Sequence, residues 1–364
     1  MDVMRNRIRP ILDSLRQWRC RFSEELTEVE IRPGDYHFSE KLDADQLKDG
    51  WMSFGACETW GGRDRHFWFR TKVVIRKEWA GKEVRVTLNT GADDIWNTDN
   101  PQIMAYKNGI LSGTMDMNHQ DLILAEEAEE AEVFELVFYA YSNSENSTNF
   151  FHLKAAVYDR EIADLYYDLK VPFEAAELCF EEDLDRIEAM KFLNTAISGL
   201  DLRKPGSEEF YQSVREVREY VKKNLPDICR SSRVTVHSIG HTHIDVAWKW
   251  PLRQTRQKAV RSFQTVLNLM EQYPEYKFMS SQPQLYAFVK EEAPELFEKI
   301  KEKIHEGRWE AEGGMWLEPD CNLASGESLI RHILYGKRFF EKELGAQKQE
   351  VLWLPDVFGY SAAM

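Results

Sequence analysis

From residue 231 onward, short apolar runs alternate with long amphipathic stretches, and this alternation limits the possible folds more than any other feature of the chain. The apolar run 234–239 precedes a helical pattern over 252–273. The run 277–280 precedes a second long helix that ends at Gly307. Residues 308–312 form a third run, a helical pattern over 327–343 follows, and the run 351–354 closes the series. A helix between successive strands is a crossover, and crossovers join strands that run parallel. The expected structure is a parallel sheet, open or closed, covered by helices. In such sheets, functional side chains collect beyond the carboxyl ends of the strands.

Upstream the period changes. Segments 67–75, 83–88, 102–106, 133–139 and 151–158 are short and rich in β-formers. They are separated by turn residues such as Asn89-Thr90-Gly91 and Asn108-Gly109, which predicts an antiparallel β-sandwich. The aromatic alternation in Phe67-Trp68-Phe69 is assigned to the edge of the sandwich core rather than to a sugar platform, and the acidic stretch 126–132 to a solvated loop or helix face. Ile8, Ile11, Leu12, Leu15 and Trp18 recur at helical spacing, as do Leu184, Ile187, Met190, Leu193 and Ile197. The fold class is therefore mixed: residues 1–160 form an N-terminal helix and β-sandwich domain, 161–230 a helical connector, and 231–364 an α/β domain with parallel strands whose sheet is open or closed.

The 47 basic and 62 acidic side chains leave a net charge of −15. This balance argues against nucleic acid or an anionic membrane as the main partner, and a neutral or small polar substrate fits better. Cys20, Cys57, Cys179, Cys229 and Cys321 are scattered, odd in number and without C-x-x-C spacing, which suits free thiols in a reducing compartment and predicts a cytoplasmic protein. No segment approaches the ~20 apolar residues of a membrane span. Homo-oligomerisation is left open by the sequence.

The first parallel strand ends at Gly240 and is followed by His241-Thr242-His243-Ile244-Asp245-Val246-Ala247-Trp248. In extended chain His243 and Asp245 lie on the same side of the backbone, so an imidazole and a carboxylate can converge on one divalent ion. His241 shares that face, as a further ligand or as a group that orients one. A lone H-x-D is short and recurs by chance, so the later strand ends matter. They carry Gly313-Gly314-Met315-Trp316-Leu317-Glu318-Pro319-Asp320 and Pro355-Asp356-Val357-Phe358-Gly359-Tyr360-Ser361. Each has a plainer reading: Gly313-Gly314 as a tight turn, Asp356 as a helix cap, Glu318 and Asp320 as members of a turn network. For Glu318 and Asp320 the plainer reading is preferred.

His243-Ile244-Asp245-Val246-Ala247-Trp248 and Trp353-Leu354-Pro355-Asp356-Val357-Phe358-Gly359-Tyr360-Ser361 together resemble the glycoside hydrolase family 38 α-mannosidases, especially their bacterial and cytosolic branch. The Gly313 to Asp320 turn and Ser325-Gly326-Glu327-Ser328-Leu329-Ile330-Arg331 resemble the same branch, and the stretch from Asp49 to Arg70 resembles its N-terminal β-domain. The resemblance implies a retaining glycosidase that removes terminal α-linked mannose from oligosaccharides, with one divalent metal ion, usually zinc, holding the sugar 2- and 3-hydroxyls, and it makes residues 231–364 the first part of a catalytic α/β-barrel. His243, Asp245 and Asp356 would be the metal ligands, Asp356 also the nucleophile, and Trp248 part of the floor under the mannose ring.

Retention needs a second carboxyl group as acid/base, ~5 Å from the nucleophile. A metal-bound Asp356 stays ionised and cannot fill that role. The resemblance puts the acid/base aspartate and the last metal-binding histidine beyond Met364, so the chain is expected to be an N-terminal portion with little mannosidase activity and weak zinc binding. Two other readings are an amidohydrolase-like metal hydrolase, suggested by His241-x-His243, and a non-catalytic carbohydrate-binding protein. The first would need more histidines on later strands, whereas His305 and His332 fall on predicted helices.

Overall fold

The computed structural model describes residues 2–34, 41–43, 47–92, 100–228, 235–346, 348–360 and 362. Cys229, Val234 and Ser361 lie outside them. The chain mixes helix and sheet. Eight α-helices are described: α1 (Asp2–Trp18), α2 (Arg160–Leu178), α3 (Leu184–Ser198), α4 (Glu208–Ile228), α5 (Leu252–Gln272), α6 (Pro283–Glu292), α7 (Pro294–His305) and α8 (Gly326–Leu344).

Two antiparallel sheets share one apolar core. The four-stranded sheet runs in the order Cys20–Leu26, His152–Tyr158, Val84–Asn89, Asp121–Ala125. The six-stranded sheet runs Met52–Ser53, Glu30–Pro33, Arg65–Val74, Val133–Ser142, Gln102–Lys107, Ile110–Met115. Val86, Leu153 and Ala155 from the first sheet meet Phe69, Phe138 and Ile103 from the second. The opposite face of the six-stranded sheet is also covered: Trp68, Tyr106 and Tyr139 pack with Val260, Phe263 and Leu267 of α5. The aromatic alternation at 67–69 thus serves two cores, Phe67 and Phe69 facing the partner sheet and Trp68 facing α5. The acidic stretch 126–132 is a loop anchored by buried Ala128, and Glu126 pairs with Arg160.

Helix α1 joins α2, α3 and α4 in a separate helical core built on Ile8, Leu12, Leu15, Leu165, Leu193 and Phe210. Asp159 caps α2 by accepting a hydrogen bond from Ile162 N, and so turns the last strand of the four-stranded sheet directly into this bundle.

The third sheet is parallel, as the crossover pattern requires, with Phe278–Ser280 between Gly240–His241 and Trp309–Ala311. Three expectations are corrected here. Val234 lies outside the described residues, and 235–239 do not form a strand: only Gly240 and His241 pair with the three-residue central strand, and Val236 remains 79% exposed. The run 351–354 is reduced to a single parallel bridge from Leu352 to Gly313. The long helix expected to end at Gly307 is two helices, because Pro294 lacks an N–H and excludes helical geometry at Ala293, whose φ and ψ are −143° and 69°. Helix α8 starts at Ser325, whose hydroxyl accepts from Ser328 N, and stops at Gly345 in the left-handed region.

Candidate metal centre

The segments that follow the Gly240–His241 strand and the Leu352 bridge leave the same end of the parallel sheet, so their side chains meet. His243 Nε2 lies 3.3 Å from Asp245 Oδ1 and 3.7 Å from Asp356 Oδ2. One donor atom from each of these residues falls within 4.8 Å of the other two. Two ligands of one zinc ion, each at ~2.0–2.2 Å, stand ~3–4 Å apart, and both distances from His243 Nε2 fall in that range. One imidazole nitrogen and two carboxylate oxygens also have the chemistry that zinc and similar borderline divalent cations take. The residues fit a metal, and more than a hundred residues of chain separate the two segments that supply them.

A further carboxylate stands behind the imidazole. Glu318 follows the Trp309–Ala311 strand, and its side chain is 4% exposed. Its Oε2 is 2.8 Å from His243 Nδ1, and its Oε1 accepts from Ser281 Oγ at 2.7 Å. The Nδ1 approach is close but bent away from the N–H axis, so the contact is an ion pair more than a linear hydrogen bond. The Glu318 contact is the main reason the His243 pKa is raised, to about 9; burial acts in the opposite direction and Asp245 adds to the rise. Three carboxylates around one imidazole leave an excess of negative charge that a divalent cation would neutralise, and His243 would bind it as the neutral imidazole.

This geometry corrects the turn-network reading for Glu318 and upholds it for Asp320. Asp320 Oδ1 accepts from Asn322 N and Leu323 N, as a turn carboxylate does. Glu318 instead faces His243 and Ser281. The signal for it was its position just past a parallel strand, the same rule that singled out His243.

His241 does not join the ligands. Its Nδ1 donates to Met279 O and its Nε2 accepts from the Trp353 indole, which occupies both ring nitrogens. Trp248 lies on the same loop as Asp245. It is 53% exposed and packs edge-on against Trp250, with the ring centroids 5.6 Å apart. Trp250 Nε1 donates to Thr255 Oγ1, whose hydroxyl also donates to Asp245 O, so the start of α5 fixes this loop. The loop is clasped from the six-stranded sheet as well: Asn143 donates to Lys249 O, and Arg253 pairs with Asp64. His305 and His332 sit on α7 and α8, and His332 Nδ1 accepts from Leu317 N. The further histidine ligands an amidohydrolase would need are not at this centre among the described residues.

Residues 233–364 match the glycosyl hydrolases family 38 N-terminal domain, and this span contains His243, Asp245, Glu318 and Asp356. Residues 233–364 belong to glycosyl hydrolase family 38. Alpha-mannosidase G of Dictyostelium discoideum is 32% identical over 358 residues, covering 94% of this chain and 32% of that relative. The alpha-mannosidase of Saccharomyces cerevisiae is 32% identical over 321 residues, covering 82% of this chain and 29% of its own length. The family 38 likeness therefore extends upstream of the metal centre into the antiparallel sheets. The chain spans about a third of the length of the curated relatives it matches.

Proposed function

We propose that this chain carries the nucleophile and most of the metal ligands of a retaining α-mannosidase that cleaves terminal α-linked mannose from oligosaccharides. The reading rests on one observation: His243, Asp245 and Asp356, drawn from distant parts of a family 38 chain, bring their donor atoms together at one end of a parallel sheet. On this reading residues 1–160, 161–230 and 231–364 are the β-domain, the helical connector and part of an α/β-barrel.

His243, Asp245 and Asp356 would hold one divalent ion, zinc being the usual choice for the family, and a bound ion would supply a Lewis acid that holds the sugar 2- and 3-hydroxyls. Asp356 is half exposed, which leaves its carboxylate accessible to an anomeric carbon. Its carboxylate attacks that carbon, and the glycosidic oxygen leaves with a proton from a separate acid. Trp248, exposed on the adjoining loop, offers an aromatic floor to the sugar. Among the described residues, Asp245 is committed to the metal and Glu318 is buried against His243, so neither is placed to protonate a leaving group. The 364-residue chain alone should therefore turn over slowly and hold zinc weakly. The free thiols of Cys20, Cys57, Cys179 and Cys321 support a cytoplasmic setting, and among the described residues no helix is long and apolar enough to cross a membrane.

The test is metal content and aryl α-mannoside hydrolysis by the full-length protein and its Asp356→Ala variant. The parent should hold about one divalent ion per active site, and the variant should lose activity by ~10⁴-fold or more. Full activity in the variant would remove Asp356 from the nucleophile's role.

A further inference from the structure

We infer that Glu318 is a positioning residue for the metal centre: anchored by Ser281, it holds the His243 ring with Nε2 facing Asp245 and Asp356. The inference rests on the proposed metal site. The chain of contacts crosses three neighbouring strand ends. Ser281 follows the Phe278–Ser280 strand, Glu318 follows Trp309–Ala311, and His243 follows Gly240–His241. Ser281 Oγ donates to Glu318 Oε1, Glu318 Oε2 faces His243 Nδ1, and His243 Nε2 is left to face the two ligand carboxylates.

A carboxylate whose role was only to tie a turn would be exposed and would accept local backbone N–H groups, as Asp320 does two residues later. Glu318 is buried, and its two oxygens are directed at a serine and a histidine from other strands. Burying a charge in this way is unfavourable unless a partner compensates it. The backbone accommodates the contact: Gly313 packs so closely on Ser281 that a Cβ there would lie 2.7 Å from Ser281 Cβ. The missing side chain lets the turn carrying Glu318 close down on its anchor. Glu318 itself stands behind the ring, outside the group of converging donor atoms. A carboxylate at the far nitrogen fixes the ring's orientation and strengthens the ligating nitrogen, and loss of such partners typically lowers metal affinity ~10–100-fold.

The experiment measures Zn²⁺ affinity of the full-length protein by competition with a chromophoric chelator, together with the visible absorption of the Co²⁺-loaded protein. Glu318→Gln should weaken Zn²⁺ binding ~10-fold and Glu318→Ala up to ~100-fold. Both should alter the Co²⁺ spectrum while the near-ultraviolet circular dichroism of the metal-free protein stays that of the parent. Ser281→Ala should shift both readouts in the same direction by a smaller factor. Zn²⁺ affinity within twofold of the parent and an unchanged Co²⁺ spectrum in Glu318→Gln would overturn the inference while leaving the metal site standing. If the Glu318 variants do not fold, the same outcome in Ser281→Ala overturns it. A parent that binds neither ion removes the metal site and the inference together.

Discussion

Trp353 donates its indole N–H to His241 Nε2 at 3.3 Å, while His241 Nδ1 donates to Met279 O at 2.9 Å. The ring is therefore the tautomer protonated at Nδ1, with both nitrogens engaged. It ties the first parallel strand to the central strand and to the segment that delivers Asp356 three residues after Trp353. His241 is a strut of the site, and His243 is its proposed metal ligand.

The two histidines should separate by mutation. His241→Ala removes a hydrogen-bonded strut and leaves the Trp353 N–H without its acceptor, so it should cost about 1–3 kcal/mol of stability. In the full-length protein it should still titrate with about one Zn²⁺. His243→Ala removes a ligand and should abolish stoichiometric binding under the same conditions. Isothermal titration of both variants checks this, and loss of binding in His241→Ala would return His241 to the ligand set.

Gly336 lies within α8, where replacing glycine by alanine ordinarily stabilises a helix by up to ~1 kcal/mol. Here the sign should reverse. A Cβ at Gly336 would stand 2.5 Å from Gly314 O and 2.7 Å from Met315 C, both backbone atoms that cannot swing aside. Gly336→Ala should destabilise the protein by about 1–3 kcal/mol in urea denaturation. Gly326→Ala, on the same helix with open space around it, should be neutral or mildly stabilising.

Tyr286 on α6 accepts from Trp309 Nε1 at 2.8 Å and donates to Ser280 O at 2.9 Å, inside a core where both rings are almost wholly buried. Burial raises its phenol pKa further above the ordinary tyrosine value. Tyr286→Phe keeps the ring and strands the Trp309 N–H, so it should cost about 1–3 kcal/mol without loss of apolar contact. Thermal unfolding of the variant measures this, and an unchanged midpoint would show that the indole had found another acceptor.

The parallel βα order, the antiparallel aromatic strands and the candidate set His243, Asp245 and Asp356, whose donor atoms converge, were legible because each rests on a local pattern: a period, or residue types placed just after a strand. What was not legible depends on lengths and distances set elsewhere. Residues 234–239 have the composition of a strand, but the three-residue neighbour pairs with Gly240 and His241, and 235–239 find no strand partner. Glu318 reads as a turn acid because nothing nearby in sequence indicates that Ser281 and His243 converge on it. His241 has the right type and phase for a ligand, yet Met279 and Trp353, far away in the chain, already occupy its nitrogens.

Lys258 gives the protein a pH dependence with a definite sign. It lies on α5 with its ammonium 4.1 Å from the Trp250 ring centroid and near the buried guanidinium of Arg261. Burial, reinforced by Arg261 and opposed by Asp116 and Asp245, brings its pKa down to about 7. In the unfolded chain the same group titrates near ~10.4. Between these values the unfolded state holds the extra proton, so stability rises with pH across the window of about 7 to 10 and is flat in this contribution below it. Lys258→Met removes the group and keeps most of its stem. The difference in unfolding free energy between parent and variant should therefore favour the variant most at pH 7 and below, and narrow as pH rises toward 10. Urea denaturation of both proteins at pH 6, 7, 8, 9 and 10 reads the difference directly. A constant difference across the series would mean that Lys258 titrates in the fold as it does in water.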